Sequence, residues 1–154
     1  MTTLKSKQTF IVTIALAFLF YAPSLAQERS NNQTENTIEF SQIDEAPIYP
    51  GCETITSIDG RKNCMRSKVS KFVNRSFNTS VADSLEAGTH RIVVNFRIDK
   101  NGDAIDINAS ALYPELKEEA KRVIKLLSKM EPGKENGEAV DVLYQLPISF
   151  RLAD

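Results

Sequence analysis

From Val140 to Leu152 every second residue is apolar: Val140, Val142, Tyr144, Leu146, Ile148, Phe150 and Leu152 alternate with Asp141, Leu143, Gln145, Pro147, Ser149 and Arg151. Side chains of a strand point to opposite faces in turn, so this pattern is that of one long half-buried β-strand. It commits the chain to a sheet with one packed face. Pro147 lies inside the pattern and has no N–H to give to a ladder, which assigns the strand to a sheet edge with one open side. The outward positions Asp141, Leu143 and Gln145 include only one charge, so little in the sequence discourages a further strand from pairing there.

The partner strands lie upstream. Ile92, Val94, Phe96 and Ile98 alternate with Arg91, Asn95 and Arg97, and Asn101-Gly102 follows as the turn of a tight hairpin. The return strand is expected to bury Ile105, Ile107, Ala109 and Ala111 and to expose Asp106, Asn108 and Ser110. Asp99, Asn101 and Asp103 imitate the start of a calcium loop, but the glycine falls at the fourth position and Ser110 stands at the twelfth, where the bidentate Glu belongs. Calcium is not expected.

Two helices complete the pattern. Met65, Val69, Phe72, Val73 and Phe77 recur at offsets of three and four, giving an amphipathic helix from Asn63 onward, with Asp59-Gly60 upstream as a turn. Its other face carries Arg61, Lys62, Arg66, Lys68, Lys71 and Arg75, which reads as a solvated face or as a basic binding surface. Tyr113-Pro114-Glu115 opens a second helix that buries Leu116, Ala120, Val123, Ile124 and Leu127 and is expected to run to Pro132-Gly133. Lys117, Lys121, Lys125 and Lys129 line up along it at four-residue intervals, with Glu118 and Arg122 able to interleave. After the loop from Gly133 to Gly137 comes the final strand. The fold class is α+β: a small antiparallel three-stranded sheet packed on two helices, in the order α-β-β-α-β.

The N-terminus reads as a targeting segment. Lys5 and Lys7 precede the apolar run from Phe10 to Ala22, Pro23 breaks it, and Ser24-Leu25-Ala26 offers small residues for cleavage before Gln27. The run holds 13 residues, whereas a membrane span needs about 20. Cleavage and export are therefore expected over an uncleaved inner-membrane anchor. Residues 27–44 form a polar leader, and residues 45–154 form the domain. Without residues 1–26 the chain has 17 Lys+Arg against 20 Asp+Glu, a net charge of −3 that gives no reason to expect nucleic acid. In an oxidising compartment Cys52 and Cys64 are expected to pair as a disulfide, because zinc requires more Cys or His than the single His90 supplies. His90 reads as a surface strand residue without triad partners, and no phosphate loop is present. Neither an enzyme nor a cofactor is expected.

Taken together these elements resemble the C-terminal domain of TonB, the protein that energises outer-membrane receptors. The resemblance runs from about Glu45 to Leu152. It rests on Val94-Asn95-Phe96-Arg97-Ile98-Asp99 with Asn101-Gly102, on Leu116 to Val123, on Met130-Glu131-Pro132-Gly133 with Gly137, and on Leu146-Pro147-Ile148-Ser149-Phe150-Arg151-Leu152. The stretch from Glu45 to Glu53, with a second Cys in the first helix, is similar to the variant of this domain in Bacteroidetes-type bacteria. The resemblance implies a domain that takes up an extended receptor segment as an added strand. Val140, Asp141, Val142, Leu143, Tyr144, Gln145 and Leu146 are the expected partner-binding residues.

Two features depart from a force-transmitting TonB protein. The apolar run contains no histidine, and the 18 or so residues between Ala26 and Glu45 reach at most ~65 Å without a proline-rich spacer. A stand-alone periplasmic or secreted domain is expected. The alternatives are an anchored transducer and a self-associating envelope protein that pairs its last strand with a second copy.

Overall fold

The computed structural model describes residues 37–153. The expected signal segment and most of the polar leader lie outside them. The elements are β1 (Thr37–Glu39), α1 (Ile58–Ser76), a 3-10 turn (Thr79–Ala82), β2 (Gly88–Ile98), β3 (Ala104–Ala111), α2 (Pro114–Ile124), β4 (Lys134–Glu135), β5 (Glu138–Ala139) and β6 (Asp141–Leu152). The fold is α+β as expected, but the sheet has four strands in the order β1-β6-β2-β3, and β1 runs parallel to β6. Three residues are too few to display an alternation, which hid β1 inside the leader. Residues 37–44 accordingly belong to the domain: Phe40 and Ile43 are buried.

β2 is the spine, pairing with β6 from Gly88↔Leu152 to Ile98↔Val142 and with β3 on its other side. Ile92, Val94, Phe96 and Ile98 join Val142, Tyr144, Leu146 and Ile148 on one buried face, against Met65, Val69 and Val73 of α1 and Leu116, Ala120, Val123 and Ile124 of α2. Both helices thus cover one face of the sheet, as the apolar stripes required. The β2–β3 register shifts between Asn95 and Arg97, and Asp106 has φ 51°, so Asp106 and Ile107 share the space opposite Phe96. This bulge corrects the expectation for Ile105. It stands opposite Arg97 on the uncovered face, while Ala104, opposite Ile98, takes the inward place.

α1 begins earlier than the apolar stripe suggested. Ser57 is its N-cap and accepts from the Gly60 N–H at 3.2 Å, so Asp59 and Gly60 form the first helical turn instead of a preceding loop. α2 ends earlier, at Ile124: Leu126 and Leu127 bond only three residues back, to the Val123 and Ile124 carbonyls, and residues 130 and 131 are drawn into tertiary pairing. Met130 donates to the Gly102 carbonyl at 3.0 Å, and Glu131 and Ile48 exchange backbone bonds of 3.0 and 3.1 Å. Lys129 consequently lies off the helix and reaches Asp103 at 3.3 Å.

The loop Asp99–Asp103 is held by one carboxylate. Asp99 accepts from the backbone N–H of Asn101 and of Asp103, each at 2.9 Å. Only Gly102 there has a positive φ, 87°, so the loop is not the two-residue turn expected. That turn occurs instead at Asn136-Gly137, where both φ values are positive, 51° and 82°, and the flanking Glu135 and Glu138 pair as a small hairpin.

Cys52 and Cys64 are joined as a disulfide, with Cα atoms 6.0 Å apart, tying the lead-in segment to α1. His90 is buried, not on the surface. It shares the inward parity of Ile92, sits between the Tyr113 and Phe150 rings at 5.5 Å from each, and its Nε2 lies 2.9 Å from the Glu86 carbonyl oxygen.

Candidate strand-docking edge

Which backbone groups of β6 face outward is fixed by one bond: the Phe40 N–H donates to the Leu143 carbonyl at 3.0 Å. The N–H and C=O of one strand residue point to the same side, and successive residues alternate. Asp141, Leu143, Gln145, Pro147, Ser149 and Arg151 therefore turn their backbone groups away from β2, while Val142, Tyr144, Leu146, Ile148 and Phe150 turn theirs toward it. Pro147 confirms this parity from its own chemistry. It lies opposite Val93, and its missing N–H falls on the outward side, where the β2 ladder loses nothing.

Of the seven residues expected to bind a partner, Val140 precedes the strand and is buried. Asp141, Val142 and Leu143 are in register with Thr37, Ile38 and Glu39 of β1, so their stretch of edge is already paired. Tyr144 and Leu146 point into the core, and Gln145 is exposed, donating through Nε2 to the Asn95 side chain at 3.0 Å. Beyond β1, the edge borders a groove of about 200 Å³ walled by Ser70 and Asn74 of α1 and by Pro147 and Ser149 of β6.

The opposite edge of the sheet, β3, is a poorer template. Its bulge at Asp106 breaks the even spacing of outward groups, and bulges of this kind are a common way to blunt an edge. Arg97 spans the sheet beside it, bonding Asp106 of β3 on one side and Asp141 of β6 on the other. The bond to Asp106 and the two neighbouring carboxylates raise the Arg97 pKa further. Asp141 also accepts from the Lys100 N–H at 3.1 Å, which pins the start of β6 to the 99–103 loop.

The basic face of α1 divides into two sets. Arg61 reaches Glu45 at 3.9 Å, Lys62 donates to the Ser41 carbonyl at 3.0 Å, and the Arg66 guanidinium lies 5.1 Å from the centre of the Phe40 ring. These three hold the lead-in segment. Lys68, Lys71 and Arg75 have no carboxylate partner among the described residues and line a cleft of about 600 Å³ beside Tyr49 and Pro50. On α2 the lysine row is interrupted by pairing: Lys121 bonds Glu118 at 2.9 Å, and Arg122 bonds the buried Glu119, which also accepts from the Asn78 N–H at 2.7 Å.

Among the described residues no group of three or more His, Cys, Asp or Glu is placed to hold a metal. No helix among them is long and apolar enough to cross a membrane.

Residues 86–152 match the family model for the Gram-negative bacterial TonB protein C-terminal. The match covers β2 through β6; the lead-in segment, the disulfide and α1 lie outside it. No curated protein and no solved structure matches the chain. The matched family is one of protein-interaction domains on the periplasmic side.

Proposed function

With residues 86–152 belonging to the TonB C-terminal family, we propose that this chain is an exported protein-binding domain that takes up an extended segment of an outer-membrane receptor as a strand on the outer edge of β6. The observation that carries this reading is the row of outward backbone groups at Asp141, Leu143, Gln145, Ser149 and Arg151, whose capacity to pair is already exercised by β1 at one end. Backbone pairing supplies the affinity in this mode, and side-chain pockets next to the edge, such as the groove at Ser70 and Asn74, supply selectivity. The domain acts in TonB-dependent transport from the periplasmic side, freed from residues 1–26 by cleavage. The residues proposed to engage the partner are Val140 to Leu146, with contact through the backbone of the odd-numbered positions.

The test is capture of envelope proteins on the purified domain, followed by affinity measurement with peptides from the periplasmic segments of the receptors recovered. Loss of that affinity in Leu143→Pro, with the domain still folded, is the expected result. A receptor peptide bound equally by the native chain and by Leu143→Pro would place the contact away from β6.

A further inference from the structure

The uninterrupted donors on the outward side of β6 are few. Asp141, Leu143 and Gln145 form one run, Pro147 contributes none, and only Ser149 and Arg151 lie beyond it. An incoming strand seeking consecutive backbone bonds needs the first run. β1 already holds most of it, with Thr37 opposite Asp141, Ile38 opposite Val142 and Glu39 opposite Leu143, and leaves only Gln145 unpaired.

β1 is attached in the manner of a ligand more than in that of a sheet strand. It is three residues long, whereas β2 and β6 remain in register over eleven pairs. Its hold comes from side chains on the helix-facing side. Ile38 packs against the core and Phe40 is buried between Tyr144 and Arg66. Immediately afterwards the chain turns away, with the Gln42 and Ile43 N–H groups both donating to the Glu39 carbonyl, at 2.8 and 3.1 Å. A short run of backbone pairing and two apolar anchors at alternate positions are what an extended peptide would make on the same edge.

We infer that β1 is an internal competitor for the docking edge: a partner segment gains the Asp141–Gln145 run by displacing Thr37–Phe40, and it does so by presenting apolar residues at two alternate positions where Ile38 and Phe40 now sit. This rests on the reading of β6 as the docking edge. An occupant inside the chain lowers the apparent affinity of every incoming strand by the fraction of molecules whose edge is free. It also blunts an edge that β6 otherwise leaves open to unwanted pairing.

The experiment uses the full chain and, as probe, a fluorescent peptide with the sequence of residues 36–43. Ile38→Ser/Phe40→Ser releases the anchors, and Ile38→Ser alone, at a half-buried position, serves if the double variant does not fold. Hydrogen exchange reads the release directly: the Leu143 amide, facing β1, loses protection, while the Tyr144 amide, facing β2, keeps it. With the edge free, the probe is expected to bind at least ~10-fold more tightly than to the native chain, the ratio reporting the fraction of open edge. Adding Leu143→Pro to the released variant is expected to abolish that binding. Equal affinity for the native and released chains would overturn the competition while leaving the docking edge in place. Binding to the released chain that survives Leu143→Pro, or no binding to it at all, would overturn the docking edge and the competition together.

Discussion

Phe40 stands edge-on to Tyr144, with ring centroids 4.8 Å apart and planes at 78°. Tyr144 belongs to β6, and its own ring leans on Phe96 of β2 at 5.3 Å. One aromatic chain therefore runs from the lead-in segment through the last strand to the centre of the sheet. Such pairs contribute about 1 kcal/mol beyond the area they bury. Burial raises the Tyr144 pKa, so its hydroxyl stays protonated at neutral pH.

Phe40→Ala removes the first link. Truncating a buried Phe costs about 3–5 kcal/mol, and the lower end applies here because a three-residue strand can fray into water without opening a cavity in the sheet. The expected result is a loss of about 3 kcal/mol in urea unfolding. A Phe40→Ala chain as stable as the native one would mean that the lead-in segment does not contribute to the core.

The Cys52–Cys64 bond closes a loop across a sequence separation of 12. The chain-entropy account assigns a loop of this size about 3 kcal/mol. Cys52→Ser/Cys64→Ser is expected to melt at a lower temperature than the oxidised native protein, and reductant is expected to lower the native melting point to that of the variant. Insensitivity of the native protein to reductant would remove the staple from the account of stability.

Gly102 and Gly137 separate two uses of glycine. Both have positive φ, 87° and 82°, but a Cβ on Gly102 would meet the Met130 carbonyl oxygen at 1.7 Å, whereas one on Gly137 meets nothing within 4 Å. Gly137→Ala carries only the left-handed backbone cost, about 1–2 kcal/mol. Gly102→Ala also breaks the bond from Met130 to the loop, so it should be clearly the worse of the two in thermal unfolding. Equal losses would show that the loop and residues 128–131 can part freely.

Two carboxylates, Asp99 and Glu119, contribute to the acid limit. Partial burial works against a charged Asp99, but the N–H groups of Asp103, Asn101 and Gly102 outweigh it and hold its pKa below the ordinary value. Glu119 is likewise lowered, first by its bond from Arg122 and then, against desolvation, by the Asn78 N–H. A group whose folded pKa is depressed stabilises the protein above its unfolded value and ceases to do so as pH falls through the folded one. Stability should therefore be flat near neutrality and fall below about pH 4. Glu119→Gln should reduce both the stability at pH 7, by about 1–3 kcal/mol, and the steepness of the acid decline. An unchanged acid limb in that variant would assign the decline to other groups.

The helix-facing parity of β2 and β6 was legible because each strand alternates for eight residues or more and both helices offer a matching stripe. What escaped the pattern has local physical causes. The bulge at Asp106 inverts the parity of Ile105, and no alternation rule registers an inserted residue. Past the end of α2, residues 130 and 131 pair with the 99–103 loop and with Ile48, which are remote in sequence. β1 is too short to be periodic. The candidate docking edge shared this fate: Pro147 pointed to an open side, but the sequence had no means of saying that Thr37–Glu39 already lies along part of it.

Proline substitution tests the parity of β6 residue by residue. The Leu143 N–H faces β1, so Leu143→Pro deletes an outward donor and spares the ladder to β2, as Pro147 does natively four positions on. Gln145→Pro has the same parity and frees no β1 contact, since β1 pairing ends at Leu143. Tyr144→Pro deletes a donor to β2 opposite Phe96 and displaces a buried ring, a loss of ~3 kcal/mol or more. The expected order of melting temperatures is Gln145→Pro above Leu143→Pro, with Tyr144→Pro far below both. Partner affinity should follow a different order, falling in both folded odd-position variants although only one of them touches β1. If Gln145→Pro keeps full affinity while Leu143→Pro loses it, the contact is confined to the run that β1 covers; if both keep it, the partner lies elsewhere, and the Lys68, Lys71 and Arg75 cleft becomes the surface to examine by charge reversal.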